Sequence, residues 1–218
     1  MSFAAVRNMP SSRKRLQTVL LLLLVFPALS HAGREERDFL RNVYKGSGNT
    51  LYCREPLDAS ARFKIDMVFS EKQLLQHYGC ITARQCASKP GFEEVASDLH
   101  NMYPVERQVF MDRRGSSFDD SPDNVEKDAC GYSLSYQIFE PPDHAKGNVA
   151  RALVYMNSHH GIPLPASIVL MQQWNELDPP DAEEKARNDA IEAIQGNRNP
   201  YIDDPASLND VSGLDKRW

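Results

Sequence analysis

Several things are scarce in this chain of 218 residues. Its apolar stretch from Leu16 to Leu29 has 14 residues, too few for a bilayer that takes roughly 20. There is no CxxC pair, and Cys80 and Cys86 have five residues between them, the wrong spacing for a zinc knuckle. Positive charge is not in surplus either: 25 Lys and Arg face 30 Asp and Glu, for a net charge of −5. The broad basic footprint of many phosphate-binding domains is therefore missing. Any role on nucleic acid has to rest on a local cationic groove or a metal ion. Internal repeats are absent too, as are low-complexity runs after the amino-terminal leucines.

The amino end carries a clear layout. Arg7, Arg13, Lys14 and Arg15 form a basic region, and Leu16 to Val25 an apolar core containing Leu20 to Leu24. Phe26-Pro27 breaks the core, and Ser30-His31-Ala32 closes it with small residues where a signal peptidase reads. This is the pattern of a secretory signal peptide. Residues 1–32 are expected to be removed, leaving a domain over 33–204 and a polar tail over 205–218. Cleavage takes four of the 25 Lys and Arg and none of the 30 Asp and Glu, so the remainder carries 21 against 30, or −9. Export agrees with the cysteines. Cys53, Cys80, Cys86 and Cys130 make an even set that reads as two disulfides, in one of three pairings.

Periodicity predicts a charged helix over 33–47, a short strand at Leu51-Tyr52-Cys53 and a half-buried strand from Phe63 to Phe69. Ser70 is a candidate N-cap for a helix beginning at Glu71. Helical spacing returns from Phe92 to Met102. Residues 113–129 read as an exposed loop, and Tyr132 to Ile138 alternates as one strand. The carboxyl half is helical. Val149, Ala152, Leu153 and Met156 share a face, Pro165 suits the first turn of a helix reaching Leu177, and Asp181 to Gln195 stops at Gly196.

Three stretches, in order, resemble the bacterial endonuclease I family. They are Asp98-Leu99-His100-Asn101-Met102-Tyr103-Pro104, then Gly147-Asn148-Val149-Ala150-Arg151 with Tyr155-Met156, then Gln195-Gly196-Asn197-Arg198-Asn199-Pro200-Tyr201. Leu51-Tyr52-Cys53, Arg84-Gln85-Cys86, Glu140-Pro141 and Trp174 fall in the same order, so the likeness spans roughly 37–203. Motifs in series are far more specific than any one alone.

The resemblance implies an α+β fold with a ββα-metal nuclease core and a helical carboxyl half. It also implies hydrolysis of phosphodiester bonds around one divalent cation, Mg²⁺, with a histidine as general base. Asn101 matches the family's metal-binding asparagine. The acid and base stand together in the family as Glu-His, followed by Val, then Val or Phe, then Pro. Here that run is Asp66-Met67-Val68-Phe69-Ser70, so Asp66 is the implied second metal ligand and the histidine is replaced by Met67. A thioether does not accept a proton from water. Further on, the family's Val-Asn-x-x-Arg becomes Val109-Phe110-Met111-Asp112-Arg113, which keeps the arginine and loses the asparagine.

His100, beside Asn101, is the base by default and His77 the next candidate; Arg113 or Arg114 is suited to a phosphate. Each has a plainer reading: a surface aspartate for Asp66, a helix C-cap for Asn101, a hydrogen-bonded core histidine for His100, loop charge for the arginines. His159-His160 looks like a metal pair, but neighbours do not share a helix face, so it reads as a solvated helix end. Gln195 to Asn199 reads as a turn held by side-chain amides. The expectation is a monomeric endonuclease without a membrane anchor, periplasmic or secreted, cutting DNA without sequence preference, with RNA a candidate second substrate. The alternative is a catalytically silent relative that binds nucleic acid or a protein partner.

Overall fold

The computed structural model describes residues 32–58 and 62–212, with side chains from residue 37 onward. The expected signal peptide therefore lies outside the described residues, apart from Ala32, which opens α1 (Ala32–Val43). That helix buries Phe39, Leu40 and Val43 in a small cluster with Leu57, Phe63 and Ile191. The expected strand at Leu51-Tyr52-Cys53 is a turn. Thr50 donates its backbone N–H to Glu55 at 2.9 Å, and Arg54 takes a left-handed conformation at φ 57°, which curls the chain while Tyr52 stays fully buried.

The next elements position the site. β1 (Phe63–Met67) pairs antiparallel with β2 (Met102–Glu106), placing Asp66 opposite Tyr103 and Met67 opposite Met102. α5 (Arg107–Arg113) follows β2 without a break; sequence periodicity had suggested no helix there. Between the strands lie α2 (Glu71–Tyr78), α3 (Ala83–Cys86) and α4 (Phe92–Ala96), then a 3-10 turn over Leu99–Asn101. Ser70 caps α2 as expected. Its side chain accepts from the Gln73 N–H while the Gln73 side chain accepts from the Ser70 N–H, so two otherwise orphaned donors are satisfied. The helix expected over Phe92–Met102 ends at Ala96, because the Asp98 side chain accepts from the His100 N–H and starts a new turn, after which Met102 enters β2.

The strand expected over Tyr132–Ile138 is a hairpin: β4 (Ser133–Ser135) and β5 (Ile138–Glu140), reversed at an exposed Tyr136 with φ 56°. β3 (Ser117–Phe118) adds parallel to β5, giving the order β3-β5-β4. Four helices complete the chain: α6 (Asp143–His160), α7 (Ile168–Leu177), α8 (Ala182–Gln195) and α9 (Pro200–Asp203). α6 is buried well beyond the single face expected of it; Ala145, Val149, Ala150, Ala152, Leu153, Val154, Tyr155 and Met156 are all within the core, as befits a helix enclosed by other elements. Gly147 lets α6 approach the loop after α7, since a Cβ there would lie 1.8 Å from the Asp178 carbonyl oxygen. Arg151, one turn on, spans the gap. It donates to Glu184 from Nε and Nη2 at 2.9 and 2.5 Å, to Asn175 at 3.0 Å and to the Asp178 carbonyl at 2.8 Å.

α7 begins after Ser167 rather than at Pro165. Asp181 caps α8 by accepting from the Glu184 N–H, and Gly196 ends it in the left-handed region, both as expected. The tail is more ordered than its polarity suggested: Pro205–Asp210 is a 3-10 turn with Leu208 fully buried. All four cysteines are paired, Cys53 with Cys130 and Cys80 with Cys86. The fold is mixed α+β, rich in helix, with two small sheets. No helix among the described residues is long and apolar enough to cross a membrane.

Candidate functional site

The end of β1, the first turn of α2 and the face of α5 enclose an open cleft of about 500 Å³. Asp66, Met67 and Phe110 line it together with Ser70, Glu71, Lys72 and Arg114. The antiparallel pairing brings Asp66 near the end of β1, and α5 delivers Phe110 to the same cleft. Phe110 stands where the family motif has asparagine. An amide on this face of α5 would enter the cleft beside Asp66; the phenyl ring offers no lone pair.

Asp66 and Arg113 are brought together. Asp66 is 8 % exposed and Arg113 1 %, and the Arg113 Nε lies 2.6 Å from the Asp66 Oδ2. Burial raises the Asp66 carboxyl above its usual range, and the guanidinium opposes that rise. Burial alone would lower Arg113, but the carboxylate beside it outweighs this and lifts it, so the guanidinium remains charged. Arg113 also donates from Nη2 to the Met67 carbonyl and, at 2.8 Å, to that of Val68, and it stacks over Phe118 at 4.6 Å. Its fork is turned onto the β1 backbone, away from the cleft, and Arg114 is the arginine that lines the opening. Arg114 is the C-cap of α5 in a left-handed conformation, φ 33°, which separates its side chain from that of its neighbour.

Asn101 and His100 stand elsewhere. Asn101 is 0 % exposed. Its Oδ1 accepts from the Phe69 N–H at 2.6 Å and its Nδ2 donates to the Phe69 carbonyl at 3.0 Å. The amide thus clamps the segment leaving β1, a structural use of the residue for which the family resemblance implied a metal. His100 is also 0 % exposed. Its Nε2 lies 3.2 Å from the Asn197 carbonyl oxygen, and its ring meets Tyr155 edge-on at 4.6 Å. Burial, with Arg187 adding to it, lowers its pKa to about 4. A neutral imidazole enclosed in this way has no route to a water in the cleft. His77 is exposed on α2 but does not line the cleft.

The metal that the resemblance implies can be tested against these donors. A hard cation takes oxygen ligands, commonly one or two carboxylates with waters and substrate phosphates. At the cleft the carboxylates are Asp66, already paired with a buried guanidinium, and Glu71; the Asn101 amide is committed to Phe69. This set does not fit a divalent cation held there by the protein. A different group does have ligand geometry. Among the described residues, Glu94, His159 and His160 bring a carboxylate oxygen and two ring nitrogens within 4.8 Å of one another. The histidines end α6 while Glu94 comes from α4. Adjacency on one helix does not forbid convergence when the third partner belongs to another element. Nothing in the spacing of Glu94 marks it, just as nothing marks Glu71 and Lys72 as cleft residues, so sequence reasoning missed all three.

An antiparallel strand pair running directly into a helix, with a cation-edged cleft at the junction, is an arrangement suited to a phosphodiester backbone. The chain belongs to the endonuclease I family, whose model matches residues 66–206. It is 31% identical over 134 residues to an extracellular ribonuclease of Bacillus amyloliquefaciens, covering 53% of this chain and 46% of that protein. It is 31% identical over 125 residues to a periplasmic deoxyribonuclease of Aeromonas hydrophila, covering 55% and 53%. With an Endonuclease-1 of Buchnera aphidicola subsp. Baizongia pistaciae it shares 27% over 135 residues, covering 59% and 55%. The chain spans about half the length of these curated relatives.

Proposed function

We propose that the protein is an exported endonuclease that hydrolyses phosphodiester bonds of DNA, with RNA as a second substrate, and that it does so slowly. The observation supporting this reading is the cleft itself: two exposed cations, Lys72 and Arg114, flank an exposed carboxylate, Glu71, at the junction of β1, α2 and α5. Lys72 and Arg114 bind the phosphate and offset the charge that grows on it during attack. Glu71 accepts the proton of the attacking water. Asp66 and Arg113 hold the end of β1 in place beneath them, and Asn101 holds the turn that follows. The β1-β2-α5 unit is the counterpart of the family's ββα-metal core. The Mg²⁺ of that core has no adequate donor set here, so no step is assigned to it. The names of the relatives support export and a nucleic-acid substrate, and the disulfides agree with an oxidising compartment.

The test is nicking of supercoiled plasmid by the purified protein, with Mg²⁺ and with chelator. Slow nicking that falls at least tenfold in Glu71→Gln supports the reading, and nicking that ignores Glu71→Gln, Lys72→Ala and Arg114→Ala removes this mechanism. A second reading, a silent relative that binds nucleic acid without cutting, is favoured by one observation: two of the side chains lining the cleft, Met67 and Phe110, offer neither a general base nor an oxygen donor for a metal. Retention of DNA on a filter with no nicking at any protein concentration establishes it.

A further inference from the structure

A second recess lies away from the cleft, where the end of α6 meets α4 and the turn after α8. We infer that it is a binding site for one zinc ion, held by Glu94, His159 and His160. This inference does not depend on the nuclease reading.

Three observations carry it. The first is the convergence of two ring nitrogens and one carboxylate oxygen within 4.8 Å of one another, at a recess also lined by Asp98, Gln195 and Asn197. Two histidines and one carboxylate suit a borderline cation such as zinc and leave its fourth position to water. Magnesium and calcium prefer all-oxygen sets.

The second is a fixed tautomer. His160 Nε2 lies 2.7 Å from Asp98 Oδ2. Asp98 is buried and also accepts from the Tyr155 hydroxyl, the Gln195 amide and the His100 N–H, each at 2.9 Å. Asp98 is the acceptor in each of these contacts, and as the acceptor from His160 too it sets the proton on Nε2 and leaves the lone pair on Nδ1. A carboxylate behind the histidine is the arrangement that orients metal-bound imidazoles and raises their basicity.

The third is rigidity. Tyr155 stacks on His159 with centroids 5.0 Å apart and planes 13° from parallel, and meets His160 nearly edge-on at 6.1 Å. Tyr155 is itself buried in the core, so one anchored ring positions both imidazoles. His159 Nε2 is met by the Asn197 amide at 3.3 Å, a long contact that a metal can displace. Glu94 is exposed and free to complete the set.

The test uses the full exported protein stripped by a chelator and titrated with zinc chloride in a calorimeter, with Mg²⁺ in large excess as competitor. One equivalent of zinc is expected, unaffected by Mg²⁺. Glu94→Gln and His159→Ala are both exposed positions, so these variants keep the fold. Each should weaken binding tenfold or more, and the double variant should lose it. Zinc should raise the thermal midpoint of the wild type and leave that of the double variant unchanged. Absence of a stoichiometric site in the wild type overturns the inference, as does zinc binding that survives in the folded double variant.

Discussion

The surroundings of Asp98 and the cleft beside Asp66 show opposite uses of polar side chains. Around Asp98, buried and half-buried groups from three parts of the chain meet in a closed network: His100, Tyr155, His160, Gln195 and Asn197 are bonded to it or to one another. Three of the family's motifs contribute to this network, and it joins α6, α8 and the 3-10 turn. At the cleft, the buried Asp66–Arg113 pair faces inward, and a thioether and a phenyl ring line the opening beside the exposed Glu71, Lys72 and Arg114. The motifs most easily recognised in the sequence thus build the frame. The positions where the sequence resemblance implies a histidine and an asparagine hold Met67 and Phe110.

This contrast can be strained in several ways. The largest effect is expected from the Cys53–Cys130 bridge, which ties the turn before β1 to the loop before β4 across a separation of 77 residues. Replacing both by serine should cost about 4–5 kcal/mol on the chain-entropy account, against about 2 kcal/mol for Cys80–Cys86 with its separation of 6. Urea unfolding of the two double variants measures the difference, and equal losses would show that loop length does not govern these bridges. Next, Arg113→Met should destabilise by about 3–5 kcal/mol, because it strands Asp66 in the interior without its partner. A loss under about 1 kcal/mol would mean that the pair is not buried in solution.

A smaller effect tests the frame through pH. His100 is neutral in the folded protein with a pKa of about 4, and near 6.5 when unfolded. A depressed histidine pKa means that the unfolded chain takes up the proton first. Its contribution is therefore fully present above about pH 6.5 and is lost as pH falls towards 4. Between pH 7.5 and 5 the loss is about 2 kcal/mol, and His100→Gln should flatten that segment of the stability profile. A profile unchanged by the substitution would place the titration elsewhere. The smallest stability change belongs to the cleft: Lys72→Ala and Arg114→Ala, both exposed, should stay within about 0.5 kcal/mol of wild type while weakening retention of DNA. Undiminished retention in the double variant would move the nucleic-acid contact away from this cleft.

Much of the frame was legible because its signals are local. Ser70 with Gln73, Asp181 with Glu184, and Gly196 mark helix ends by chemistry that needs no tertiary partner. Where the reading went astray, distant contacts decided. Tyr132 to Ile138 alternates as one strand should, yet Tyr136 turns outward and the two halves pair with each other. Phe92 to Met102 has helical spacing, yet Asp98 stops the helix to serve Tyr155 and His160. The site was half legible. The replacement of histidine by Met67 and of asparagine by Phe110 could be read from motifs alone. That Phe110 lines the cleft with Asp66 while Asn101 bonds to Phe69 could not, because it depends on how α5 packs against the β1-β2 pair. Glu94 joins His159 and His160 only through the fold.

The central claim is that an intact nuclease frame is limited by two side chains in its cleft. It is tested most directly by the initial rate of plasmid nicking, with Mg²⁺ present, for wild type and for Met67→His combined with Phe110→Asn. A positioned general base contributes about 10²–10⁴-fold, and the double variant is predicted to gain a rate increase of that order. A double variant that folds with wild-type stability and nicks no faster than the wild type would contradict the account.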